Sequence, residues 1–136
     1  MDFFIIDGSG LKYMQDECLP HGHSGKYIQM QNLALQKEYV VFASYETFGH
    51  HSQILKSFCD FKWIKTYHGK KKKSCGWLPN SKKWKVGGGH WKCDQANGIL
   101  KIENGSMAYG PSVLDENFKA SIKSLPWMEG CEVQFV

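Results

Sequence analysis

The chain has 136 residues, 42% of them apolar and 14% aromatic, which is enough to fill one domain core and argues against a disordered tail or linker. Its 17 basic residues are all lysine, so any anion site must use lysine, histidine and backbone N–H groups in place of the bidentate fork of arginine. The net charge is +4, and the five cysteines, odd in number and widely spaced with no C-x-x-C pair, fit neither a zinc framework nor a disulfide framework.

The first predicted element is a short strand over Asp2–Asp7, closed by Gly8-Ser9-Gly10. Its apolar run, Phe3-Phe4-Ile5-Ile6, is too short for a signal peptide and has an acid in front of it. No stretch approaches the roughly 20 apolar residues of a membrane span. These features predict a soluble, cytoplasmic protein with reduced thiols and no membrane partner.

Lys12 to Gly25 is polar and rich in turn formers. Lys26–Leu33 reads as a strand because Ile28 and Met30 alternate with Gln29 and Gln31. Glu38–Tyr45 is a second run of β-formers. The period then changes. From His51, the residues Ile54, Leu55, Phe58 and Phe61 fall at helical spacing, which predicts a helix over about Gly49–Lys62. Its first turn carries the pair His50-His51, where N–H groups lack intrahelical partners.

Lys65–Lys83 reads as an irregular basic insertion holding Lys70-Lys71-Lys72-Lys73. A solvated loop is the ordinary meaning of such a run, and nucleic-acid binding is the weaker one. Lys83–Val86 alternates as a strand ending at Gly87-Gly88-Gly89-His90, a triplet without dinucleotide-loop spacing. Trp91–Cys93 and Ile99–Glu103 suggest two strands around the turn signal Asn97-Gly98.

The loop Gly105-Ser106-Met107-Ala108-Tyr109-Gly110-Pro111 follows, and small residues there can aim several N–H groups at one anion. Asp115–Ser124 reads as a helix with Leu114, Phe118, Ile122 and Leu125 as its apolar stripe, and Gly130–Val136 as a last strand. The expectation is a single α+β domain spanning residues 1–136, a mixed sheet of about six strands flanked by two helices.

The order Gly25-Lys26-Tyr27-Ile28, a histidine opening a helix, Gly87-Gly88-Gly89, then Ser106-Met107-Ala108-Tyr109-Gly110-Pro111 resembles the protein phosphohistidine phosphatases, the Janus/Ocnus family. The resemblance covers roughly residues 20–136. Residues 1–19 match poorly, as an N-terminal extension, and 65–83 is longer than the family pattern. It implies a mixed sheet with two helices and a metal-independent, cofactor-free hydrolase that acts on phosphohistidine-containing proteins. Carried over by position, the register of the helical stripe makes His51 the catalytic base, with His50 its neighbour. Lys26, Ser52, His90, Ser106, Met107 and Ala108 fall on substrate-binding positions.

Two positions depart from the family pattern. His90 stands where an arginine is usual, and a basic position on the strand before the helix is apolar here, near Val41 and Phe42. A neutral histidine base with a pKa near the unperturbed value of about 6.5 would suit water activation at pH 7, and phosphoryl transfer to that histidine is the alternative route. Against this stand a non-catalytic phosphoprotein-binding module, a nucleic-acid binder led by the lysine run, and a metal site drawn from His21, His23, His50, His51 or His68.

Overall fold

The computed structural model describes residues 1–8, 10–15, 18–19, 23–71, 74–94, 96–106 and 108–136, with the side chains of Lys70, Lys71, Ser74 and Cys75 left out. Among these residues the architecture is α+β. The strands are β1 (Asp2–Asp7), β2 (Gly10–Tyr13), β3 (Ser24–Asn32), β4 (Lys37–Ser44), β5 (Thr66–Lys71), β6 (Ser74–Pro79), β7 (Trp84–Asp94), β8 (Ile99–Asn104) and β9 (Glu132–Phe135). The helices are α1 (His51–Phe61) and α2 (Glu116–Lys123), followed by a single 3-10 turn at Pro126–Met128.

Seven strands form one mixed sheet in the order β2-β1-β4-β3-β7-β8-β9, and β5 and β6 form a separate hairpin. The β1–β4 and β8–β9 pairs are parallel and the other neighbours antiparallel. The central strands are covered on both faces, which explains their unbroken apolar runs. In β1, Phe3 and Ile5 point to the α2 side while Phe4 and Ile6 point to the α1 side. In β4, Val40 and Phe42 alternate with Val41 and Ala43 in the same way. Val41 and Phe42 are therefore core residues on opposite faces.

Helix α1 buries Ile54, Leu55 and Phe58 against the sheet, each contributing roughly 1.5–3 kcal/mol by removal from water. His50 is the extended N-cap residue, and Gln53 Oε1 accepts its N–H at 3.2 Å. Phe61 does not continue the stripe. It sits 48% exposed because the helix ends there, with Trp63 in the left-handed region and the Ile64 N–H closing onto Cys59 O. Helix α2 starts at Asp115, whose Oδ1 accepts the Phe118 N–H at 2.8 Å, and it packs Phe118 and Ile122 on the opposite face.

Among the described residues the mixed sheet has seven strands and two helices flank it, in line with the expected sheet of about six. Two further expectations are corrected. Residues 65–83 are largely the β5–β6 hairpin: Trp77 and Leu78 pack toward α1 and give it an apolar side that the lysines conceal in composition. Lys72 and Lys73 lie outside the described residues. The glycine triplet does not end a strand. It lies inside β7, which runs on to Asp94 because β3 pairs with it from Ser24↔Lys92 to Asn32↔Trp84. Residues 1–19, expected to be an N-terminal extension, supply β1 and β2 together with the buried Met14 and Leu19.

Candidate functional site

The sheet register builds the site. Lys26 on β3 lies directly opposite His90 on β7 and Ala43 on β4, and His90 lies opposite Glu103 on β8. Residues in such a row share one face. Here it is the α1 face, because Ala43 belongs to the cluster that α1 covers. The N-terminus of α1 comes down onto this row and carries His51.

His51 is only 6% exposed. Its Nε2 lies 2.8 Å from the carbonyl oxygen of Gly89. A carbonyl only accepts, so Nε2 carries the proton and Nδ1 keeps the lone pair. Burial pushes the imidazole down to about 4, and electrostatic repulsion from the Lys26, His90 and His50 side chains acts in the same direction against the Gly89 hydrogen bond. The expected value near 6.5 is corrected by this enclosure: His51 is neutral at pH 7 in the free protein.

Gly88 makes the close approach possible. A Cβ there would sit 2.6 Å from Tyr27 O, 2.9 Å from His51 Cδ2 and 3.3 Å from Ser106 Cβ. The missing side chain thus lets His51 and Ser106 converge on one point of β7. The ring of His90 stands 5.5 Å from that of His51, edge to face, and its Nδ1 lies 2.7 Å from the Tyr45 hydroxyl. Burial and the Glu103 charge raise the Tyr45 hydroxyl, so it stays protonated at neutral pH.

The loop after β8 is tied back to the sheet. The Gly105 N–H donates to Gly88 O at 2.9 Å, and the Gly88 N–H donates to Gly110 O at 3.2 Å. Within the loop, Ser106 Oγ accepts the Tyr109 N–H, and Ser106 O accepts the Gly110 N–H. Among the described residues this leaves the N–H groups of Ser106 and Ala108 without a protein acceptor; Met107 lies outside the described residues. The Ser52 N–H, in the first turn of α1, likewise lacks an intrahelical acceptor.

The geometry therefore brings together Lys26, His51, Ser52, His90 and Ser106, with Ala108 two residues along the same loop. His50 caps the helix beside them, and Ser52 points its hydroxyl elsewhere. That hydroxyl packs against Gly76 and takes part in a hydrogen bond with Tyr109. Tyr109 is buried and its hydroxyl donates to Trp77 O at 2.5 Å. It is a brace between the loop and the β5–β6 hairpin.

Sequence reasoning missed Tyr45, the Gly89 carbonyl, Glu103 and this role of Tyr109. None has a local signal, since each acts through a partner more than 30 positions away or through sheet register. His21 lies outside the described residues, while His23 stands 4.0 Å from Glu46. Among the described residues no three His, Cys, Asp or Glu side chains gather as metal ligands, and no helix is long and apolar enough to cross a membrane. The arrangement gathers a neutral imidazole, a cation and N–H groups without protein acceptors in one neighbourhood, the set of groups that suits a tetrahedral oxyanion. No protein-family model matches the chain, and no curated protein sequence matches it.

Proposed function

We propose that the protein is a phosphohistidine phosphatase of the Janus/Ocnus type, acting on phosphohistidine in cytoplasmic proteins. The observation that carries this reading is His51: a buried, neutral imidazole oriented by Gly89 O and set against Lys26, His90 and Ser106 over Gly88. The free thiols of Cys18, Cys59 and Cys131 suit a reducing compartment.

The phosphoryl oxygens take the N–H groups of Ser52, Ser106 and Ala108 and the charge of Lys26, with His90 as a further donor. The Nδ1 lone pair of His51 then has one of two uses. It accepts a proton from a water that attacks phosphorus in line as the substrate imidazole leaves. Alternatively it attacks phosphorus itself: the substrate P–N bond breaks, the Nδ1–P bond forms, and water later hydrolyses the new phosphoimidazole. A histidine near pKa 4 is a weak base in the free protein. The dianionic phosphoryl group counters the charge of Lys26 and raises that value on binding.

The test is hydrolysis of a phosphohistidine peptide by the wild-type protein and by His51→Ala. Turnover by the wild type and its loss in the variant are expected; turnover unchanged in the variant would remove His51 from the chemistry. A wild type that binds phosphate but releases none would instead identify a phosphoprotein-binding module, the reading favoured by histidine rather than arginine at position 90.

A further inference from the structure

A groove of about 580 Å³ continues from His90 along the same face of the sheet, lined among others by Ser24, Tyr45, Lys92, Lys101 and Glu103. Its floor contains an unusual pair. Lys92 on β7 and Lys101 on β8 are directly opposite each other in register. Like charges in that position repel and weaken a sheet. Neither lysine has a carboxylate within 4.0 Å among the described residues. The nearby Asp94 is turned into the β7–β8 turn, where its Oδ2 accepts from Asn97 Nδ2 at 2.9 Å. Glu103 stands at the other end of the groove, opposite His90. The Asp94 carboxylate feels the charge of both lysines through space but makes no contact ion pair with either, so two ammonium groups without a contact partner face one open space and are complementary to an added anion.

We propose that this groove takes the polypeptide flanking the phosphohistidine and that Lys92 and Lys101 select an acidic residue in it. The inference rests on the phosphatase reading for the identity of the anchor residue. The spacing sets the position. Two residues of strand separate His90 from Lys92, about 7 Å at the rise of an extended chain. An extended substrate whose phosphoryl group lies at His51 and His90 thus puts a side chain two residues away over the lysine pair. A carboxylate there meets both ammonium groups. The groove shares His90 with the phosphoryl space, so one substrate can reach both.

The experiment compares the wild type with the double variant Lys92→Gln/Lys101→Gln. Two fluorescent peptides, unphosphorylated and differing only in Asp against Asn at a position two residues from a histidine, are titrated at low and physiological salt. The same pair, phosphorylated on that histidine, is assayed for turnover beside free phosphohistidine. The wild type should prefer the Asp peptide roughly three- to tenfold in Kd and kcat/KM, as expected for two screened ion pairs. The preference should shrink with salt and vanish in the double variant, with turnover of free phosphohistidine unchanged. Equal affinity for the two peptides, or a preference retained by the double variant, would overturn the assignment. So would displacement of the Asp peptide by a single-stranded oligonucleotide at lower concentration than by excess Asp peptide. Absence of turnover on every phosphohistidine substrate, with the Asp preference in binding intact, would overturn the phosphatase reading and leave the acidic-peptide groove standing.

Discussion

His51 donates from Nε2 to the carbonyl oxygen of Gly89 at 2.8 Å, and this one hydrogen bond settles which ring nitrogen keeps a lone pair. Its partner lies in the middle of β7, 38 residues away in the chain. The bond holds the ring in place while burial keeps it uncharged.

The protonation of His51 is the first expected outcome. Nitrogen-detected NMR should show the Nε2–H tautomer at pH 7 and a titration near pH 4, moved upward when phosphate or vanadate is added. The same shift couples to stability. The folded-state value lies below the unfolded value of about 6.5, so the unfolded chain binds more protons between the two, and stability falls as pH drops through that window. A shift of this size corresponds to at most about 3 kcal/mol. His51→Gln, which keeps a donor toward Gly89 O, should flatten the urea-unfolding stability profile between about pH 6.5 and 4. A profile as steep as the wild type's would mean that other groups carry the acid sensitivity.

Gly88→Ala should damage both stability and activity. The added methyl meets Tyr27 O at 2.6 Å and His51 Cδ2 at 2.9 Å. Overpacking of this kind costs about 1–3 kcal/mol, and a catalytic group displaced by an ångström can lose roughly a hundredfold in rate. Urea unfolding and turnover read the two effects separately. Unaltered turnover would show that His51 does not depend on the space at position 88.

His90→Arg should tighten inorganic phosphate as a competitive inhibitor by roughly three- to tenfold, since a permanent, forked donor replaces an imidazole. Equal inhibition constants for both proteins would place position 90 outside the phosphate's reach.

Tyr109→Phe should cost about 1–3 kcal/mol in unfolding free energy by leaving the Trp77 carbonyl without its donor. Hydrogen exchange should rise in the β5–β6 hairpin and in the 105–111 loop together, because Tyr109 joins them. Exchange rising in only one of the two would argue against the brace.

The helices were legible because their signals are local. Ile54, Leu55 and Phe58 repeat at helical spacing, and Asp115 is a capping residue before an apolar stripe. The two central strands β3 and β4 were legible for the same reason. The β5–β6 hairpin was not, because the run Lys70 to Lys73 dominates the composition of that stretch, while its apolar residues Trp77 and Leu78 find their partners in the cluster under α1. The glycine triplet was misread as a strand end because glycine is a turn former in isolation. In the folded chain it is the place where β7 admits close neighbours.

The sequence by itself determined the α+β class, the absence of arginine and the residue types available to an anion, all properties of composition and local periodicity. Tertiary structure decided which of them meet. Sheet register set Lys26 beside His90 and Lys92 beside Lys101. The descent of α1 onto Gly88 and Gly89 chose the tautomer of His51 and lowered its proton affinity. Both are long-range consequences of packing two faces of one sheet, and a proton's affinity depends on the dielectric and the charges around it rather than on its neighbours in the chain.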